Sequence, residues 1–209
     1  MRGANPSACR SPMSVRARSS TPVAIDGRCF TYVFPCQWED HCKIGFSRDP
    51  LGRIASLHPR WFDFFDLEHG LLVETERERD ARDLELQLRR PLLAHNAPAP
   101  MAIRAVAGGH TEWFRGVGDA LQRAVAQLQQ GGYRVFVLRE WLQAAMAQRI
   151  DRLYDWAAVQ LSADELDGLV GPTPAQRALR DVLDGYRALD FPMQQHLPEH
   201  IWAWYCRNS

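Results

Sequence analysis

Lysine is almost absent from this chain. The 25 lysine and arginine residues include a single lysine, Lys43. The chain also lacks a charge excess, because 25 acidic residues balance the basic ones, so net charge alone indicates no polyanionic partner. No apolar run approaches the roughly 20 residues that a membrane-spanning helix needs. We therefore expect no membrane association.

Cysteine is scarce and odd in number, with five residues that follow no disulfide-framework spacing. This usage is typical of a reducing compartment, and we expect a cytoplasmic protein. Cys36 and Cys42 flank His41, but their spacing matches no usual zinc site. Zinc binding at these residues is an open alternative.

The chain divides into three parts by composition. Residues 1–27 are basic and rich in serine and proline, and this predicts a disordered tail. Residues 28–116 alternate strand and helix patterns, whereas residues 117–209 show mainly helical patterns. The aromatic run "IWAWYC" at 201–206 indicates that the helical part packs on the first domain, on a protein partner or on a second copy.

The pattern in residues 28–116 predicts a small sheet covered by helices. "CFTYVFP" at 29–35 and "HCKIGFS" at 41–47 predict a hairpin, and residues 65–75 predict a third strand. Asp49-Pro50 predicts the start of a helix that ends near Pro59. A second helix from Thr75 has an apolar stripe of Ala81, Leu84 and Leu88. The expected class is α+β, with a three-stranded antiparallel sheet flanked by helices and an all-helical C-terminal region.

Four polar residues of this unit have the chemistry needed to cleave a phosphodiester bond. Glu85 borders the apolar stripe of its helix, where a carboxylate is costly unless it meets a cation. Its oxygens suit Mg²⁺ or Mn²⁺. Arg53 would stabilise charge on the transition state, and Tyr32 or Lys43 would take a proton from the attacking water.

At these residues the chain resembles the GIY-YIG nuclease superfamily. "FTY" (30–32) and "KIG" (43–45) are similar to the two halves of its signature, with eleven positions from Tyr32 to Lys43 as in that family. Arg53 matches the catalytic arginine, and Glu85 matches the single metal-binding glutamate. A branch common in phage and bacterial proteins carries KIG and a later Glu-Trp-Phe element, here "HTEWF" at 110–114.

The resemblance implies a divalent-metal-dependent endonuclease domain at 28–116 whose substrate is nucleic acid, DNA rather than RNA. It adds four candidate supporting residues: His58, Asn96, His110 and Glu112. "FTY" lacks the glycine and isoleucine of the signature. Leu57 stands where the family often has a histidine, with His58 next to it. The alternative function is a non-catalytic nucleic-acid-binding or partner-binding module on the same fold.

Each candidate residue also has a purely structural interpretation. Tyr32 and Lys43 suit ordinary strand positions, whereas Arg53 has Asp49 one turn away. Glu85 has Arg82 and Arg89 at pairing distance along its helix, and Glu112 with its two aromatic neighbours suits packing. The four candidates are therefore interpreted together and not one at a time.

A second motif, "HLPEH" at 196–200, fits the H-x-x-E-H pattern of some zinc peptidases. Pro198 lies inside it and is tolerated only in a first helical turn. The expected third ligand would lie downstream, where few residues remain before Ser209. We expect His196 and His200 to be surface or capping residues instead.

Overall fold

A hairpin at the centre of the sheet has the bounds that the sequence predicted, β1 (Cys29–Pro35) and β2 (His41–Ser47). The computed structural model describes residues 28–209, so the predicted tail at 1–27 lies outside the described residues. β3 (Leu71–Thr75) pairs with β1 on its other side. These three strands are the ones that the sequence predicted.

The prediction of a three-stranded sheet is wrong, because residues 28–209 form six antiparallel strands in the order β4-β5-β2-β1-β3-β6. The additional strands are β4 (Asn96–Ala97), β5 (Trp113–Arg115) and β6 (Val135–Val137). β6 lies in the region predicted to be all-helical, so that prediction is also wrong. Strands of two or three residues are too short to show an alternating pattern.

Nine α-helices lie within the described part of the chain. The first begins at Pro50, where the Asp49 side chain accepts a hydrogen bond from the Gly52 N–H (3.0 Å), which confirms the predicted helix start. The helices are α1 (Pro50–Leu57), α2 (Trp61–Phe64), α3 (Glu78–Arg89), α4 (Gly118–Gln130), α5 (Leu138–Ala147), α6 (Leu153–Ala158), α7 (Ala163–Leu166), α8 (Pro174–Ala188) and α9 (Glu199–Asn208). Short 3₁₀ turns lie at Arg90–His95, Ala105–Ala107, Ile150–Arg152 and Met193–His196.

The two faces of the sheet are covered by different helices because side chains alternate along each strand. One face carries Val33, Ile44 and Val73, and the apolar sides of α3 and α4 pack there. Ala81, Leu84 and Leu88 are buried in or beside this layer, which confirms the predicted stripe of α3. The other face carries Phe30, Tyr32 and Phe34 and packs against α1, α2, α5, α8 and α9.

The C-terminal helices share a core with the residues of the hairpin. The Phe30 ring lies edge-on to Trp141 of α5, with centroids 5.2 Å apart. Trp204 and Tyr205, from the "IWAWYC" run, are buried in the same cluster. The two parts of the chain thus share one buried apolar cluster. The domain boundary at 116–117 stays a prediction. Among the described helices, none is long and apolar enough to cross a membrane.

Candidate active site

Tyr32 and Arg53 are brought together by β1 and α1. Tyr32 is directly opposite Gly45 of β2 and only 1 % exposed. Its hydroxyl accepts a hydrogen bond from Arg53 Nε (3.1 Å). Burial raises the pKa of Tyr32, and the charge and hydrogen bond of Arg53 act in the opposite direction. The phenol is therefore protonated at neutral pH and is oriented by the guanidinium.

The glycine of "KIG" has a direct steric role at this position. A Cβ atom on Gly45 would lie 2.3 Å from the Tyr32 hydroxyl oxygen and 2.5 Å from Cζ. These separations are far below van der Waals contact, so the tyrosine ring occupies the space that a side chain at position 45 would need. Gly45 thus allows the ring to lie flat across β2.

Lys43 is fully buried, with 0 % exposure. It is opposite Phe34 on one side and Trp113 on the other. Its Nζ donates to the Gly109 carbonyl (2.8 Å) and to Glu112 Oε2 (2.5 Å). Burial lowers the pKa of Lys43 to about 8, an effect that the hydrogen bond and charge of Glu112 partly offset. Lys43 therefore does not face solvent, although it stands in a strand.

A loop before β5 closes over the two cations. Arg53 Nη1 donates to the Ala107 carbonyl (2.5 Å), and Nη2 lies 3.5 Å from the Gly108 carbonyl. With the Lys43 contact, carbonyls of three successive residues face the two cations. Gly108 and Gly109 have φ of 64° and 67°, a conformation that favours glycine. We call residues 107–109 the carbonyl loop.

The two cations meet at Gly109 of the carbonyl loop. A Cβ atom there would lie 2.8 Å from Lys43 Nζ and 2.9 Å from Arg53 Nη2. The same atom would lie 2.6 Å from Glu112 Oε2. Because Gly109 has no side chain, two positive side chains and a carboxylate approach it closely.

Glu85 lies at the edge of this cluster on α3. The helix is fixed to β1 by the Thr31 hydroxyl, which donates to the Ala81 carbonyl (2.8 Å). Glu85 is buried at 5 % exposure, and its Oε1 accepts a hydrogen bond from Arg89 Nη1 (2.7 Å). Its Oε2 accepts no hydrogen bond from residues 28–209.

Glu112 joins the two halves of the cluster. It lies beside β2, where its carbonyl accepts from the Ile44 N–H (3.1 Å). One carboxylate oxygen contacts Lys43, and the other lies 3.9 Å from Arg89 Nη1. Charged groups therefore alternate along one path from Lys43 through Glu112 and Arg89 to Glu85.

The sequence predicts a supporting role for Glu112 and, in the structural interpretation, a surface ion pair between Glu85 and Arg89. The pair exists, but it is half-enclosed and shares Arg89 with Glu112. The four-residue spacing from Glu85 to Arg89 signals the pair. No sequence pattern signals the contact with Glu112, because it depends on how β5 returns to β2.

The other three supporting candidates have structural contacts. Asn96 Nδ2 donates to the carbonyls of Thr111 (2.7 Å) and Trp113 (3.0 Å), which fixes the segment that carries Glu112. His110 Nε2 donates to the Ala105 carbonyl (2.9 Å). The His58 ring stacks on Phe64 (4.6 Å), and its Nδ1 accepts from the backbone N–H of Arg60. His58 thus contacts α2 and not the charged cluster.

The alternative metal motifs are not assembled as sites. Cys36 belongs to one buried apolar cluster and Cys42 to the other. In "HLPEH", α9 begins at Glu199 after Pro198, and His196 lies in the preceding 3₁₀ turn. Within residues 28–209, no group of three or more histidine, cysteine, aspartate or glutamate side chains is placed to hold a metal.

The donor set around Glu85 suits one kind of metal. Mg²⁺ retains several water ligands and binds proteins through one or two carboxylates together with substrate phosphates. Glu85 Oε2 accepts no hydrogen bond within residues 28–209, and Glu112 is the next carboxylate along the ion-pair path. These residues fit a largely hydrated Mg²⁺ or Mn²⁺ and do not fit a dehydrated zinc site, which needs nitrogen or sulfur ligands.

Comparison with known proteins gives no match, since no family model, curated protein or solved structure is significantly similar to this chain.

Proposed function

We propose that this protein is a divalent-metal-dependent endonuclease of the GIY-YIG type that hydrolyses phosphodiester bonds, with DNA as the preferred substrate. The observation that carries the proposal is the meeting of Tyr32, Lys43 and Arg53 at one point. These residues come from β1, β2 and α1, and Arg53 Nε holds the Tyr32 hydroxyl at 3.1 Å. Buried polar groups from three elements are typical of a reaction centre.

The proposed roles follow from the charges. Arg53 is fixed in orientation and would stabilise negative charge that develops on the phosphate oxygens. Glu85, with Glu112 as second carboxylate, would hold Mg²⁺ or Mn²⁺, which when bound supplies Lewis-acid stabilisation of the same charge. The Glu85 carboxylate is buried and paired with Arg89, so it is held in place beside α3.

Two residues are candidates to receive the proton of the attacking water, and each must first release its own proton to solvent, because the Tyr32 phenol is protonated at neutral pH and Lys43 holds its proton below a pKa of about 8. The resemblance assigns this role to Tyr32, whose oxygen is oriented by Arg53. Lys43 is the second candidate, because its pKa of about 8 lies close to neutral pH. We assign the proton transfer to Tyr32 and a charge-supplying role to Lys43.

Substrate binding requires the carbonyl loop to move. Phosphate oxygens are hydrogen-bond acceptors, and the donors that would bind them now point at the Ala107 and Gly109 carbonyls. A phosphate that replaces these carbonyls makes stronger, charge-assisted bonds with Arg53 and Lys43. The pairing of opposite charges is the interaction that would offset the cost of displacing the loop.

The same contacts favour a second candidate function. If the carbonyl loop stays in place, Arg53 and Lys43 are structural cations and the domain is a non-catalytic module that binds nucleic acid or a protein. Only the enzyme needs a divalent ion for strand cleavage. Association through the C-terminal helices stays a separate prediction under either function.

Supercoiled plasmid DNA tests the proposal directly. The full chain is incubated with plasmid in Mg²⁺ or Mn²⁺ and in chelator, and we expect nicked or linear product only with metal. Glu85→Gln keeps the side-chain size, and we expect it to reduce the rate at least about 100-fold while DNA binding survives. The matched control is Glu78→Gln, an exposed glutamate of α3. Cleavage in chelator, or full activity of Glu85→Gln, would overturn the assignment.

A further inference from the structure

Arg89 lies between two carboxylates that belong to different elements. Its Nη1 is 2.7 Å from Glu85 Oε1 and 3.9 Å from Glu112 Oε1. The side chain of Glu85 is 6 % exposed, that of Arg89 is 21 % exposed and that of Glu112 is 27 % exposed. The guanidinium is thus a partly enclosed cation with an acidic group on each side.

The hydrogen bonds of Arg89 are incomplete. Its Nε is buried and has no hydrogen-bond partner in the described part of the chain. A buried donor without a partner is destabilising, so this position is a poor one for an arginine. The Nε–H would be satisfied by water if the side chain swung outward.

A matched pair on the same helix shows what an ordinary ion pair looks like. Arg82 and Glu78 have the same four-residue spacing, with Arg82 Nη2 3.7 Å from Glu78 Oε1. Both side chains are substantially exposed, at 61 % and 45 %. Arg89 differs because it is enclosed, contacts a second carboxylate and lacks a partner for Nε.

We propose that Arg89 occupies the metal position in the free protein and is displaced when a divalent cation binds between Glu85 and Glu112. This inference rests on the metal site of the proposed function and goes beyond it, because it makes Arg89 an internal competitor for that site. A divalent ion carries twice the charge of the guanidinium, and it would bind Glu112 through Oε1, since Oε2 is already paired with Lys43. The displaced guanidinium then reaches solvent next to the site and is free to bind a substrate phosphate.

Direct Mn²⁺ binding tests the competition without relying on catalysis. The electron paramagnetic resonance signal of free Mn²⁺ is followed as the full chain is titrated, for wild type, Arg89→Met and the control Arg82→Met. Loss of a charged hydrogen bond to the competitor is expected to lower the Mn²⁺ dissociation constant of Arg89→Met about tenfold. Arg82→Met is expected to bind like wild type. Adding Glu85→Gln to Arg89→Met is expected to abolish the gain.

The outcomes separate this inference from the proposed function. If wild type binds Mn²⁺ in a Glu85-dependent way and Arg89→Met binds equally or more weakly, Arg89 is a structural or positioning residue and the inference is wrong, while the nuclease proposal stands. If no variant binds Mn²⁺, both are wrong. If Arg89→Met gains affinity but no variant cleaves DNA, the inference holds and the nuclease proposal falls.

Folding is checked by circular dichroism before each titration. Should Arg89→Met not fold, Arg89→Lys is used, because a lysine keeps the charge but has no planar fork to span two carboxylates. We expect it to bind Mn²⁺ more tightly than wild type by a factor of a few. An unchanged dissociation constant for a folded Arg89→Lys would overturn the inference.

Discussion

The buried Lys43 predicts a specific dependence of stability on pH. The pKa of Lys43 is lowered from 10.5 to about 8 in the folded protein because the ammonium is removed from water. In the unfolded chain the lysine regains its ordinary pKa. Between these two values the unfolded state binds more protons, so the free energy of unfolding rises with pH. The contribution is complete above the unfolded pKa and is lost as pH falls through about 8.

The size of the effect follows from the two pKa values. For a folded pKa of about 8 and an unfolded pKa of 10.5, linkage gives almost no gain at pH 7 and a gain of about 2–3 kcal/mol at pH 10. Lys43 is fully buried, so solvent screening does not reduce this figure. Replacement by methionine keeps most of the side-chain stem and removes the titration.

Urea unfolding of wild type and Lys43→Met at pH 7 and pH 10 measures the prediction. Cysteine and tyrosine residues also titrate in this range, but they are common to both proteins and cancel in the difference. The stability of wild type relative to Lys43→Met is expected to increase by about 2–3 kcal/mol between the two pH values. An unchanged difference would show that Lys43 keeps its ordinary pKa, and the argument for a desolvated ammonium beside Glu112 would be wrong.

Two further predictions concern Tyr32 and Gly45. Gly45→Ala places a Cβ atom 2.3 Å from the Tyr32 hydroxyl and is expected to lower the free energy of unfolding, measured in urea, by about 1–3 kcal/mol. The control is Gly118→Ala, where a Cβ meets nothing within 4 Å, and it is expected to be neutral or stabilising. Equal effects of the two variants would contradict the steric argument. Tyr32→Phe is expected to lower metal-dependent plasmid cleavage at least about 100-fold and Lys43→Met to lower it less. The reverse order, in folded proteins, would make Lys43 the proton acceptor.

The central elements of the fold were predictable because each carries a local signal. β1 is an aromatic and β-branched run and β2 is a shorter apolar run, and their predicted bounds match the structure. Asp49 and Pro50 specify the start of α1 through a side-chain cap and a fixed φ. The stripe of Ala81, Leu84 and Leu88 specifies which side of α3 is buried.

The edges of the sheet and the contacts of the cluster were not predictable. β6 is three residues long, and it is specified by pairing with β3 instead of by its own pattern. The carbonyl loop contacts Arg53 and Lys43 across more than fifty residues of sequence. Patterns of neighbouring residues do not predict contacts at such a sequence separation. The structure brings Tyr32 and Arg53 into contact and places Lys43 beside Arg53 at Gly109, but the other partners of these residues come from tertiary packing that the sequence does not reveal.

The short outer strands have a consequence for any shortened form of the protein. β4 and β6 end the sheet with two and three residues, so the intact chain presents few free backbone groups to which another strand could be added. A chain cut before Val135 would lose β6 and leave the buried residues Leu72 and Val73 of β3 at an open edge. Such a fragment would carry both an apolar surface and a pairing template, and its tendency to aggregate would limit its use as an isolated domain.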